Sequence, residues 1–284
     1  MRGNVAKSTD VLRKRLRRFF SSPYVSRYET RQFLETVSAV GDVAIFGGMV
    51  RDIAYWGPRG FSSDVDAVIA TEDRAGLIKI LSSYEHKKNK FGGYRIQLSR
   101  SSIDLWTLES TWAFRAGLVR GRCFADLIRT TFFDWDAVVF EVRSGRIHSI
   151  DRYLERLGRG LVDINLPNNP NPLGAVIRTL RLVVSRRAAL SSKLADHLSE
   201  NLPKFDTPTI CRTERASFRV PLLLPKDVDD TRAALSQRLR DGSREPFALP
   251  RAQVAFALPE APPNSALQTD GPGRLAPLAS PARG

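Results

Sequence analysis

Two aspartates one residue apart, Asp64-Val65-Asp66, follow a glycine pair in the run Ala44-Ile45-Phe46-Gly47-Gly48-Met49-Val50-Arg51-Asp52. Residues at i and i+2 of a strand project from the same face, so Asp64 and Asp66 point together while Val65 turns into the core. Two carboxylates side by side repel unless a cation lies between them, and Mg²⁺ prefers carboxylate and phosphate oxygens. Glycines without side chains let backbone N–H groups approach a phosphate closely, and a helix N-terminus just behind them adds a favourable dipole. Arg51 falls in the first turns of that helix, within reach of a triphosphate. The chemistry these types and spacings suit is the holding of Mg²⁺ and a nucleoside triphosphate side by side. Taken alone, the aspartate pair fits an ordinary exposed turn better, and it is the glycine element upstream that favours the metal reading.

The elements that must position these groups are readable in outline. Residues 43–46 are a short apolar run ending at the glycines, as a buried strand entering a tight turn does. Residues 49–56 can make two turns of helix, ended by Gly57-Pro58, and residues 64–70 form the strand that carries the aspartates. Residues 91–98 and 102–107 alternate polar with apolar and read as a hairpin around Ser99-Arg100-Ser101. A second hairpin spans residues 138–142 and 146–150, with its turn at Arg143-Ser144-Gly145. Leu173, Val176, Ile177, Leu180, Val183 and Val184 recur at helical spacing, interleaved with Arg178, Arg181, Arg186 and Arg187. Pro172 suits the first turn of that helix, and the arginines fit either a binding face or a solvated one. Residues 11–20 form a helix with Leu12, Leu16, Phe19 and Phe20 on one face. Its basic face either binds nucleic acid or is simply wet, the second being favoured. A further helix over 27–40 leads into the glycine strand. Beyond residue 200, Pro203, Pro208, Pro221 and Pro225 interrupt any long helix, and 231–241 is the last helical stretch expected. From residue 246, Pro, Ala, Gly and Ser dominate, and the tail is expected to be disordered.

The glycine element followed by Asp64-Val65-Asp66 resembles the head domain of class II CCA-adding enzymes and bacterial poly(A) polymerases, members of the polymerase-β nucleotidyltransferase superfamily. The two elements stand a few residues further apart here, through residues 55–61, a change that a loop tolerates. The resemblance implies an α/β (α+β) fold: a head with a small mixed sheet flanked by helices, then a helical neck and the disordered tail. Its divisions are basic N-terminal helices at 1–40, the head at 41–165, the neck and cap at 166–245 and the tail at 246–284. It also implies a third acid on the second strand of the first hairpin, Asp104, which otherwise reads as a surface strand acid. Asp64, Asp66 and Asp104 would be the catalytic residues and the ligands of two Mg²⁺ ions. Gly47, Gly48, Arg51, Asp52, Arg178 and Arg181 would bind the nucleotide.

The chain also departs from the family pattern. Thr107 is followed by Leu108-Glu109 and not by arginine. The block that normally reads arginine-aspartate-phenylalanine-threonine-isoleucine-asparagine is replaced within residues 126–137. There Phe133 and Ala137 fit, Asp136 stands in place of the asparagine, and the arginine-aspartate pair is absent. At the neck, Asn171-Pro172 and Ala175 occupy the positions of the glutamate-aspartate pair and arginine that select the incoming base. CCA synthesis is therefore not expected.

Lys+Arg total 44 against 30 Asp+Glu, a net charge of +14, which suits a polyanionic partner such as RNA or DNA. Two cysteines, Cys123 and Cys211, and three histidines offer neither a disulfide framework nor zinc spacing. No apolar run is long enough to span a membrane, and the N-terminal arginines lack an apolar signal core. A cytoplasmic protein is expected, with no membrane association and no obligate protein partner. The expected activity is Mg²⁺-dependent transfer of a nucleotide from an NTP such as ATP to an acceptor hydroxyl. An RNA 3′ end, a tRNA-like one included, is the leading acceptor, in the manner of a tRNA nucleotidyltransferase or poly(A) polymerase. A protein or small-molecule acceptor, or a degenerate head that only binds RNA, are the alternatives.

Overall fold

The chain was analysed as a computed structural model that describes residues 4–59, 61, 65–89, 92–218 and 220–249. Asp64 and the tail from residue 250 lie outside the described residues. Two helices come first, α1 (Thr9–Phe20) and α2 (Val25–Val37). Leu12, Leu16 and Phe19 of α1 and Phe33, Leu34 and Val37 of α2 are buried, as the helical spacing required. Each such side chain contributes roughly 1.5–3 kcal/mol through removal from water.

Strand β1 (Asp42–Phe46) then runs into α3 (Gly48–Trp56) through Gly47. Gly47 has φ 70° and ψ −129°, a conformation that a Cβ would disfavour, so the sharp strand-to-helix turn needs glycine there. Next come β2 (Val65–Ala70), α4 (Arg74–Leu81), β3 (His86–Lys88), β4 (Tyr94–Gln97) and β5 (Ser102–Thr107). A short helix, α5 (Trp112–Arg115), and 3₁₀ turns at Phe124–Arg129 and Asp134–Asp136 lead to β6 (Val138–Glu141) and β7 (Ile147–Ser149). Among the described residues these strands form a seven-stranded sheet in the order β3-β4-β5-β2-β1-β6-β7. It is mixed: β2 and β5 pair in parallel and the other neighbours are antiparallel. Both expected hairpins are present, as β4–β5 and β6–β7.

The sheet is covered unequally. Val65, Ala67 and Ile69 of β2 point into the main core with α1, α2 and α3, while Val68 points to a smaller cluster with Leu108, Phe124 and Leu127. The smaller cluster covers only part of its face, which leaves room at the strand ends.

After α6 (Tyr153–Arg159) and β8 (Leu161–Val162), the neck helix α7 (Pro172–Arg186) follows, then β9 (Ala189–Leu190), α8 (Ser192–Asn201), α9 (Thr207–Ser217) and α10 (Pro225–Arg240). Pro172 starts its helix as expected, and two of the prolines expected to interrupt helices, Pro208 and Pro225, start helices instead. Pro172, Pro208 and Pro225 sit in first turns, where the missing N–H would have had no helical partner. The last helix therefore begins at Pro225, earlier than the expected 231. Phe247, assigned by composition to the tail, is buried and exchanges backbone hydrogen bonds with Leu190 at 2.7 and 2.8 Å. No helix among the described residues is long and apolar enough to cross a membrane.

Candidate active site

Parallel pairing of β2 with β5 sets Asp66 directly against Asp104. Both alternate with Val68 and Trp106, residues of the smaller cluster, so the two carboxylates share the incompletely covered face. Ile45 pairs with Ala67, and one step further along the same register brings Phe46 opposite Asp66, with the Gly47–Gly48 turn next along the chain. The glycine turn and the carboxylates thus meet at one end of the sheet's central strands.

Asp66 and Asp104 open into a cleft of about 470 Å³ that is also lined by Arg27, Arg100, Arg181 and Phe218. Arg95 on the neighbouring strand places Nη1 3.3 Å from Asp104 Oδ2 and donates from Nη2 to Ser102 Oγ at 3.0 Å. Two in-register carboxylates beside a cationic cleft are oxygen donors of the type a hard cation shares with phosphate. Among the described residues no group of three or more acidic, His or Cys side chains could hold a metal ion. The third candidate ligand, Asp64, lies outside them.

Arg181 is held by α9 and by the segment after it. Its Nη1 donates to Glu214 and, at 3.1 Å, to the Val220 carbonyl. Its guanidinium carbon lies 4.0 Å from the Phe218 ring centroid. Glu214 is fully buried and also accepts from the Leu222 N–H at 2.9 Å. Arg178, one turn earlier on α7, is exposed, lies 5.9 Å from the Phe133 ring and does not line the cleft. Among the candidate nucleotide contacts, then, Arg181 joins the carboxylates and Arg178 does not.

Arg51 and Asp52 occupy a buried ionic network behind the glycine turn. Arg51 Nε donates to Asp52 Oδ1 at 2.9 Å and its Nη1 to Asp136, while Arg186 of α7 donates to the same Asp52 oxygen at 2.9 Å. Burial opposes the Arg51 charge, but Asp136 and Asp52 outweigh it and raise the pKa above the ordinary arginine value. Arg186 is shifted down, by burial first and then by the neighbouring Arg51. Neither Arg51 nor Asp52 lines the cleft. The remaining Nη2 of Arg51 lies 3.5 Å from where a Cβ on Gly48 would stand, so that donor is at the turn.

Sequence reasoning missed Arg27, Arg100, Glu214 and Phe218. Arg27 and Arg100 carried no motif; Glu214 lies in, and Phe218 just after, a helix that the prolines were expected to break.

No protein-family profile matches the chain, and no curated protein matches it in sequence. Solved structures do match in fold. A CCA-adding enzyme bound to CTP superposes with a TM-score of 0.55 at 16% identity, over 80% of this chain and 55% of that one. The Thermotoga maritima CCA-adding enzyme in complex with tRNA gives 0.54 at 15% identity, over 83% and 55%. A tRNA-processing enzyme in an apo form gives 0.51 at 16%, over 76% and 58%. The chain spans little more than half the length of each. The chain shares its fold with just over half of each of these CCA-adding enzymes, and on that fold it carries the glycine turn and the in-register aspartates.

Proposed function

We propose that the protein transfers a nucleotide from an NTP to an acceptor hydroxyl, with an RNA 3′ end as acceptor. The observation that carries this reading is the register match of Asp66 with Asp104 at the mouth of a cleft lined by Arg27, Arg100 and Arg181. The structural neighbours, solved with CTP and with tRNA, support it.

The reaction is an in-line displacement in which the acceptor oxygen attacks the α-phosphate and pyrophosphate leaves. Asp66 and Asp104, with Asp64, would hold two Mg²⁺ ions, which would neutralise phosphate charge and acidify the acceptor hydroxyl. We assign to the Gly47–Gly48 backbone and Arg51 Nη2 the holding of the leaving pyrophosphate, and to Arg181 a contact to the nucleotide. Phosphoryl transfer depends mostly on positioning and charge neutralisation, which suits a site built of carboxylates and guanidinium groups.

The base-selecting positions of the neck are committed to structure. Asn171 caps α7 by accepting from the Gly174 N–H at 2.9 Å, Pro172 starts the helix and Ala175 is buried. Pro172 and Ala175 carry no polar side-chain group, which leaves of the three only the exposed Asn171 amide to meet a base edge, so CCA synthesis is not part of the proposal. The same observation favours a second reading, in which the acceptor is a protein or small molecule.

The test incubates the protein with Mg²⁺, each labelled NTP in turn, total RNA and cell lysate, beside Asp66→Asn and Asp104→Asn. Either substitution should lower transfer by roughly a thousandfold or more, which corresponds to several kcal/mol of barrier, with the circular dichroism melt unchanged. Label on RNA supports the first reading and label on protein the second. Wild-type-like transfer by folded Asp66→Asn would sink both.

A further inference from the structure

One side of α2 carries a stripe that packing does not explain. Tyr24, Arg27, Tyr28 and Arg31 recur at i, i+3, i+4 and i+7, so they lie along a single line on the helix. The buried line, through Thr30, Phe33, Leu34 and Val37, flanks the stripe on its arginine side and leaves the tyrosines outward. Burying aromatic rings is strongly favourable, yet Tyr24 is 65% exposed and Tyr28 44% exposed.

Each tyrosine is paired with an arginine. The Arg27 guanidinium carbon lies 5.0 Å from the Tyr24 ring and 4.5 Å from that of Phe19, and Arg27 Nη2 donates to the Pro58 carbonyl at 2.7 Å. The Arg31 guanidinium lies 5.2 Å from the Tyr28 ring. Its Nε is 3.7 Å from Glu35 and makes no hydrogen bond. The Tyr28 hydroxyl accepts from Gln32 Nε2 at 2.8 Å, which fixes the outer ring.

The stripe joins two clefts. Arg27 at one end lines the cleft that contains Asp66 and Asp104. Arg31 at the other lines a second cavity of about 280 Å³ with Arg17 and Arg143 at its rim. Exposed rings alternating with guanidinium groups are the arrangement on which successive bases stack while cations track the phosphates. Charge complementarity supports a polyanion, since the whole chain carries +14. An acidic peptide would use the two cations and leave the rings idle.

We propose that the Tyr24–Arg27–Tyr28–Arg31 stripe is a stacking track for single-stranded nucleic acid that leads a 3′ end into the cleft of Asp66 and Asp104. This inference rests on the functional reading above for its direction, but not for its measurement. The full chain is titrated, without NTP or divalent cation, against a fluorescein-labelled single-stranded RNA, the DNA of the same sequence, the RNA duplex and a glutamate-rich peptide. Fluorescence anisotropy reads the affinity.

The Tyr24→Ala/Tyr28→Ala double variant should bind single strands roughly tenfold to a hundredfold more weakly, at an unchanged melting temperature. A Tyr24→Trp/Tyr28→Trp variant should bind like the wild type, since the stacking surface is kept. A preference for RNA over DNA would identify a contact to the 2′-hydroxyl, and equal binding would place recognition in stacking and charge. Unchanged affinity in the alanine variant, equal binding of the duplex, or stronger binding of the peptide would each overturn the proposal. Ring-dependent binding by a protein that transfers no nucleotide would leave the track standing and sink the enzymatic reading. Transfer to RNA with ring-independent binding would do the reverse.

Discussion

Asp134 sits in the 3₁₀ turn before β6, buried, accepting the Asp163 N–H at 2.9 Å, with Arg156 Nη1 3.3 Å away. Burial raises its carboxyl pKa from 3.8 to about 6; the Asp163 N–H and Arg156 pull the other way and do not prevail. The native state therefore binds an extra proton between these two values. The stability this confers is fully present below pH 3.8 and is lost as pH rises through about 6. At 1.36 kcal/mol per pKa unit the loss is on the order of 3 kcal/mol. Urea denaturation should show wild-type stability falling, relative to Asp134→Asn, from pH 4 to pH 7. Parallel pH profiles for the two proteins would disprove the shift. Gly93 makes a second prediction, because a Cβ there would lie 2.2 Å from Trp106 Nε1, beside the carboxylate face. Gly93→Ala must displace the indole and should cost roughly 1–3 kcal/mol in a thermal or urea melt. Neither environment was legible in the sequence. Asp134 drew notice only as part of an altered block, and Gly93 only as part of a strand.

At the scale of elements, the ionic network of Arg51, Asp52, Asp136 and Arg186 ties α3 to the neck helix α7. Two arginines and two aspartates balance there, so removing one member leaves a buried charge unpaired. Asp52→Ala should destabilise the fold by roughly 3–5 kcal/mol, measured by urea denaturation. Little change would mean that water already solvates the network. The hairpins, the glycine strand and the neck helix were legible because their periods are local. The network was not, since Asp136 and Arg186 stand 85 and 134 residues from the partners they meet on α3. For Asp104 the pattern alone gave a strand acid; its place opposite Asp66 depends on parallel pairing, which no local period encodes. Helix α9 was hidden by Pro208, read as a breaker where it is a starter.

Over the whole molecule, net charge predicts how binding responds to salt. If Arg27, Arg31 and Arg100 each neutralise a phosphate, single-strand affinity should fall roughly twentyfold between about 50 and 200 mM salt. Anisotropy titrations across that range measure the slope, and a flat response would remove phosphate contacts from the account. Composition revealed the sign of the partner's charge. It gave no hint of where on the surface the contacts lie, because that depends on which arginines are already used internally. Arg15, for example, spends its donors on the carbonyls of Asn4 and Ala54 at 2.7 and 2.9 Å.

The parallel step from β2 to β5 has one more consequence. The gap between Asp66 and Asp104 is set by the width of one hydrogen-bonded ladder, about 4.8 Å between strands, and not by the chain that runs from one to the other. That intervening chain, with α4, β3 and β4, is therefore a part whose length can drift over generations without detuning the pair. Insertions should be tolerated at its solvent-facing turns, whereas a one-residue slip within either strand would turn an aspartate to the opposite face.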